Sequence, residues 1–151
     1  DLTPELFQKV FEVNTKGPWY LASRAAPRMA KHGGGSIINV ISVGGLKPPA
    51  YQGFYAATKS ALHALTKVMA AEWAAMGVRV NALAPGSFHS DMFDNSAAQL
   101  PGFMEGSIAT TLQKRIADTD EILGSVMYLA SDMSSFTTGS TLVADGGYLV
   151  L

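Results

Sequence analysis

Tyr55 and Lys59 stand four residues apart in Tyr55-Ala56-Ala57-Thr58-Lys59, and Ser42 precedes the tyrosine by thirteen positions. Four residues is about one helical turn, so a phenol and an ammonium project from one helix face. A phenol is a poor acid-base group near neutral pH, because its pKa is about 10. A cation beside it favours the phenolate and brings that value down, at about 1.4 kcal/mol of differential interaction per unit. Ser42 closes the β-branched run Ile37-Ile38-Asn39-Val40-Ile41 and is followed by Val43-Gly44-Gly45. Its hydroxyl therefore belongs at a strand's carboxyl end, where open α/β sheets bind ligands. Tyr and Lys at this spacing also occur as ordinary solvated pairs, so the acid-base reading leans on the surrounding pattern.

The elements that must position these groups can be read from caps and periodicity. Thr3-Pro4-Glu5 starts a helix with a capping hydroxyl, a proline in the first turn and an acid near the helix dipole. Phe7, Val10, Phe11 and then the polar Asn14 follow at helical spacing. Pro18 lacks an N–H, so the Asn14 carbonyl loses its helical partner and a kink is expected there. The helix continues to the glycines after His32. A strand is expected over Ser36 to Ser42, a loop over Val43 to Gln52, and a helix from about Gly53 to Met76 ended by Gly77. A second strand follows over Val78 to Ala84. Ser87 to Ala117 shows weak periodicity and reads as a long irregular segment of the kind that forms lids or binding loops. Asp118-Thr119-Asp120-Glu121 caps a short helix ending near Ser131, and Thr141 to Ala144 forms the last strand before Asp145-Gly146-Gly147. Strands alternating with helices imply parallel βαβ units, and a buried parallel sheet needs cover on both faces.

The composition is 48% hydrophobic and 15% charged with a net charge of −1. That is a globular composition, and without a basic stripe it argues against a nucleic-acid partner. No apolar run approaches the ~18 residues of a membrane span, and no signal peptide is evident. With no cysteine there is no disulfide or thiol chemistry. His32, His63 and His89 are scattered and show no metal-ligand spacing. The chain opens on Asp1 directly into a helix start, without an initiator Met, and reads as a piece of a longer protein.

The order and spacing of five segments resemble the short-chain dehydrogenase/reductase family. They are Val13-Asn14-Thr15-Lys16-Gly17, Ser42 at its strand end, the Tyr55/Lys59 helix, Pro85-Gly86 after the second strand, and Thr141-Leu142-Val143-Ala144-Asp145-Gly146-Gly147. The resemblance covers nearly all of residues 1–151, but only the carboxyl-terminal part of the family's usual domain. It implies an α/β fold: part of a doubly wound Rossmann-like parallel sheet, helices on both faces, the first strands missing and the first strand present left with an open edge. It implies a catalytic set of Asn14, Ser42, Tyr55 and Lys59. Tyr55 would move the proton, Lys59 would tune it and hold the nicotinamide ribose, Ser42 would polarise the substrate oxygen, and Asn14 would help hold a water that contacts the lysine. Pro85, Gly86, Phe88 and Ser90 would join Tyr55 and Lys59 around the nicotinamide, with Phe88 offering its backbone to the carboxamide. Ser90 stands where threonine is commoner in the family, and His89 occupies a variable position. The implied function is an NAD(P)-dependent oxidoreductase, using NAD or NADP, on a secondary alcohol or ketone. The implied protein is cytoplasmic and a homodimer or homotetramer, pairing through its two long helices. No Gly-rich phosphate loop matches GxGxxG, so residues 1–151 alone are expected to be inactive and unable to capture a dinucleotide. The alternative is a non-enzymatic oligomerisation or binding module that kept the fold and lost cofactor capture.

Overall fold

The computed structural model describes residues 3–151; Asp1, on which the reading of the chain's start rested, and Leu2 lie outside the described residues. Helix α1 spans Pro4–Phe11, and the Thr3 hydroxyl accepts from the Leu6 N–H at 3.2 Å, as its capping position requires. The disturbance expected near Asn14 takes the form of a π-helical turn over Glu12–Lys16. There the Gly17 N–H reaches back to the Glu12 carbonyl, one residue further than an α-helix allows. The wider turn delivers the chain to Pro18 without demanding a donor from it. Helix α2 then runs over Gly17–Lys31.

Strand β1 (Gly35–Val40), helix α3 (Gly53–Trp73, extended by a 3₁₀ turn over Ala74–Met76) and strand β2 (Val78–Pro85) follow. Strand β3 is Thr141–Ala144. The three strands pair in parallel in the order β1-β2-β3, which leaves one side of β1 as a sheet edge. β1 stops two residues earlier than the sequence suggests, although Ile41 still donates to the Leu83 carbonyl at 2.8 Å.

Central strand β2 is buried on both faces. Val78 and Val80 pack with Ala22, Ala26, Met69 and Ala70 from α2 and α3, and Ala82 and Ala84 pack with Ile41 and Leu62. Arg79 alternates to the opposite face and donates to the Leu129 and Ser131 carbonyls and the Ser134 hydroxyl, at 2.7–3.2 Å. Those carbonyls belong to α6 (Leu123–Ala130) and its end, so helices cover both faces of the sheet. The segment expected to be irregular contains two helices, α4 (Asp91–Gln99) and α5 (Phe103–Ala109). Neither buries a residue, so neither carries the core-facing stripe that makes a helix legible. Among the described residues no helix is long and apolar enough to cross a membrane.

Candidate functional site

Ser42 leaves β1 in extended conformation and caps the 3₁₀ turn Val43–Gly45, its Oγ accepting from the Gly44 N–H at 3.1 Å. This turn is pressed onto α3. A Cβ on Gly45 would lie 2.9 Å from both the Lys59 carbonyl carbon and its Cβ. The Ser60 hydroxyl also donates to the Gly45 carbonyl at 2.6 Å. Glycine thus lets the strand end approach the helix closely, and the approach fixes Ser42 relative to Tyr55 and Lys59.

On α3 the Lys59 ammonium lies 5.7 Å from the centre of the Tyr55 ring, within cation–π range. It donates to the Val40 carbonyl at the sheet edge, at 3.0 Å. Burial strips water from this ammonium and holds its pKa below the ordinary 10.5. One turn of helix therefore presents a phenol and a partly desolvated cation side by side.

Asn14 stands one hydrogen bond behind this pair. Its Nδ2 donates to the Thr58 hydroxyl at 3.2 Å, and that hydroxyl donates to the Tyr55 carbonyl at 2.7 Å. Thr15 adds a bond from its hydroxyl to the Thr58 carbonyl at 2.9 Å. The π turn thus docks onto the stretch of α3 that carries Tyr55 and Lys59. Thr58, fully buried, is a residue the sequence reading passed over. Its one signal is a hydroxyl three residues after the tyrosine, at the spacing for bonding back to a helical carbonyl.

Ser42, Tyr55 and Lys59 line a cleft of about 1630 Å³ together with Pro85, Gly86, Phe88 and Ser90; Asn14 does not line it. Gly86 brings the end of β2 against the end of β3, where its Cβ would stand 2.7 Å from the Asp145 Cα. The Ser90 hydroxyl caps α4 by accepting from the Phe93 N–H at 3.2 Å. Helices α4 and α5 and Tyr148 complete the walls. Gln52, Tyr51 and Tyr148, none of them singled out by the sequence, also face the cleft. Tyr51 is fully exposed with a φ of 67°, a left-handed conformation uncommon outside glycine and asparagine. His89 lies outside the lining and pairs with Asp94 at 2.9 Å. Among the described residues no cluster of three or more His, Cys, Asp or Glu could hold a metal.

A short parallel bridge joins Phe88 to Ala117, using the Ser87 carbonyl and the His89 amide. In such a bridge the central residue's own N–H and C=O point away from the partner. Phe88's own peptide groups make no hydrogen bond among the described residues. A free peptide donor and acceptor on the cleft wall match a carboxamide, and Lys59 and Tyr55 match ribose hydroxyls. The residues present fit the nicotinamide half of the nucleotide.

The comparisons agree with this architecture. Residues 1–149 match the family model described as enoyl-(acyl carrier protein) reductase. The A-factor type gamma-butyrolactone 1'-reductase of Streptomyces virginiae is 40% identical over 147 residues, covering 97% of this chain and 57% of that protein. The galactitol 2-dehydrogenase (L-tagatose-forming) of Cereibacter sphaeroides is 40% identical over 147 residues, covering 95% of this chain and 57% of that protein. A crystal structure of gluconate 5-dehydrogenase from Burkholderia cenocepacia, in complex with NADP and tartrate, superposes with a TM-score of 0.94 at 34% identity. That match covers 99% of this chain and 58% of that one. A three-stranded parallel sheet with helices on both faces and a cleft at its strand ends defines a Rossmann-like α/β fold. The chain belongs to the short-chain dehydrogenase/reductase family. It spans somewhat more than half the length of the relatives it matches.

Proposed function

We propose that the protein is an NAD(P)-dependent oxidoreductase that interconverts a secondary alcohol and a ketone, with Tyr55 as its general acid/base. The observation that carries this reading is the shared cleft of Ser42, Tyr55 and Lys59, with the lysine ammonium 5.7 Å from the tyrosine ring. A nicotinamide bound there supplies or accepts the hydride. Tyr55 gives its phenolic proton to the substrate oxygen in reduction and takes it back in oxidation. The Ser42 hydroxyl holds that oxygen, and its position is set by the turn that packs on α3. Lys59 steadies the phenolate that proton loss leaves behind, which a cation in partly desolvated surroundings does well. Pro85, Gly86 and Phe88 would form the wall for the nicotinamide, and Ser90 anchors the helix that continues that wall. Asn14 acts through Thr58 as a positioning residue for the Tyr55–Lys59 turn.

The direct test is absorbance of the reduced nicotinamide with the full-length protein, NADH or NADPH, and a panel of secondary alcohols and ketones. Turnover with one of the two nucleotides is expected. No turnover with either, in protein shown to be folded, would favour the non-enzymatic module.

A further inference from the structure

The cleft wall built by α4 and α5 is apolar at its centre. The Phe93 and Phe103 rings pack with centroids 5.2 Å apart, and Met92 and Leu100 line the same wall with more than half their surface exposed. Its polar contributors Ser96, Ser107 and Thr110 carry no charge. Among the described residues Lys59 is the one charged side chain in the lining.

The basic side chains nearby in sequence are engaged elsewhere. Arg115 donates through both terminal nitrogens to the Glu121 carboxylate, at 2.6 and 2.7 Å. Lys114 donates to the Ala109 carbonyl at 2.7 Å, and His89 is held by Asp94. None of them lines the cleft, and the acids Asp91, Asp94 and Glu105 on the two helices stand outside it as well. Lys59 is bonded to the Val40 carbonyl, and in the proposed chemistry its charge serves the Tyr55 phenolate. A carboxylate or phosphate lying along the Phe93–Phe103 wall would lose hydration where, among the described residues, α4 and α5 bring no charged side chain to the lining. An alkyl or ring substituent would instead cover apolar surface that now faces water.

Resting on the oxidoreductase reading, we infer that the substrate is an uncharged alcohol or ketone whose apolar arm lies along the Phe93–Phe103 wall. A short hydrophilic acid is the substrate type this wall disfavours. Ser107, beside Phe103 along one helical turn, is placed to convert the preference if it is given a charge.

The test is kcat/KM of the full-length protein for methyl ketones of increasing length, and for the same ketones ending in a carboxylate. Each added methylene is expected to raise kcat/KM by up to about fourfold until the wall is covered. A terminal carboxylate is expected to lower it at least about tenfold against the methyl-ended ketone of equal length, for want of a partner. Phe103→Ser should flatten the length dependence, and Ser107→Lys should narrow the carboxylate penalty. Equal or better turnover of the carboxylated series, or no dependence on length in the unmodified protein, would overturn the inference while leaving the oxidoreductase reading intact. No turnover of any member, where the wider panel of secondary alcohols and ketones does turn over, would overturn the inference alone; no turnover of the wider panel with either nucleotide would overturn the oxidoreductase reading, and the inference with it.

Discussion

Thr58 sits fully buried between Tyr55 and Lys59 and hands the Asn14 amide on to the Tyr55 carbonyl through its hydroxyl. Thr58→Val keeps the shape and deletes the hydroxyl, leaving the Asn14 Nδ2 without its partner. The expected cost is about 1–2 kcal/mol of folding stability, from a lost bond and a stranded donor. Urea denaturation checks this, and an unchanged midpoint would contradict it. The case marks what sequence reveals at this scale. Ser42, Tyr55 and Lys59 share the cleft with Pro85, Gly86, Phe88 and Ser90; a strand end and a helical turn are local geometry that spacing carries, whereas Pro85 to Ser90 were named through the family resemblance. The Thr58 bridge to Asn14 and the Val40 carbonyl under Lys59 join residues 44 and 19 positions apart, and no local spacing encodes them.

Among the elements, the turn Val43–Gly45 and helix α3 are matched surfaces, and Gly45 is the point of closest approach. Gly45→Ala forces a Cβ to within 2.9 Å of Lys59 atoms and should cost about 1–3 kcal/mol, as overpacking does. Gly106→Ala is the control: it lies in α5, its Cβ meets nothing within 4 Å, and alanine there should stabilise slightly. Equal midpoints for the two variants would contradict the matched-surface account. The entry to α6 offers a pH test. Hydrogen bonds from Arg115, joined by the Asp118 N–H, hold the Glu121 carboxyl at about 2 against an ordinary 4.5. A depressed folded-state pKa contributes stability above pH 4.5 that is lost as pH falls toward 2. Arg115→Ala should therefore be less stable than the parent at neutral pH, and the gap should narrow through that window. A gap independent of pH would contradict the pairing. The strands and the capped helices could be read from the sequence with small errors at their ends. Helices α4 and α5 could not, because their apolar residues face a cleft rather than a core.

For the whole molecule, the unpartnered surfaces are informative. Strand β1 is an edge, and Val40 on it is half exposed. Helices α1, α2 and α3 and the π-helical turn border a groove lined by Phe11, Thr15, Lys16, Trp19, Ala61, Ala64 and Leu65, and Val13 and Leu21 are exposed as well. Exposed apolar surface of this kind favours association. The full-length protein is expected to be a dimer or tetramer, and light scattering at micromolar concentration checks it; a clean monomer mass would contradict it. The open edge on β1 was expected from the family resemblance, which implies further strands beside it. Strand order and the cover of each face became plain only from long-range pairing, which composition and periodicity do not carry.

The Tyr55 phenol is the centre of the proposed chemistry. Tyr55→Phe in the full-length protein keeps the ring and removes the transferable proton. With nicotinamide binding measured separately and found intact, the account predicts turnover lower by at least ~100-fold, the scale of a positioned acid-base group. Turnover close to that of the unmodified protein would contradict it.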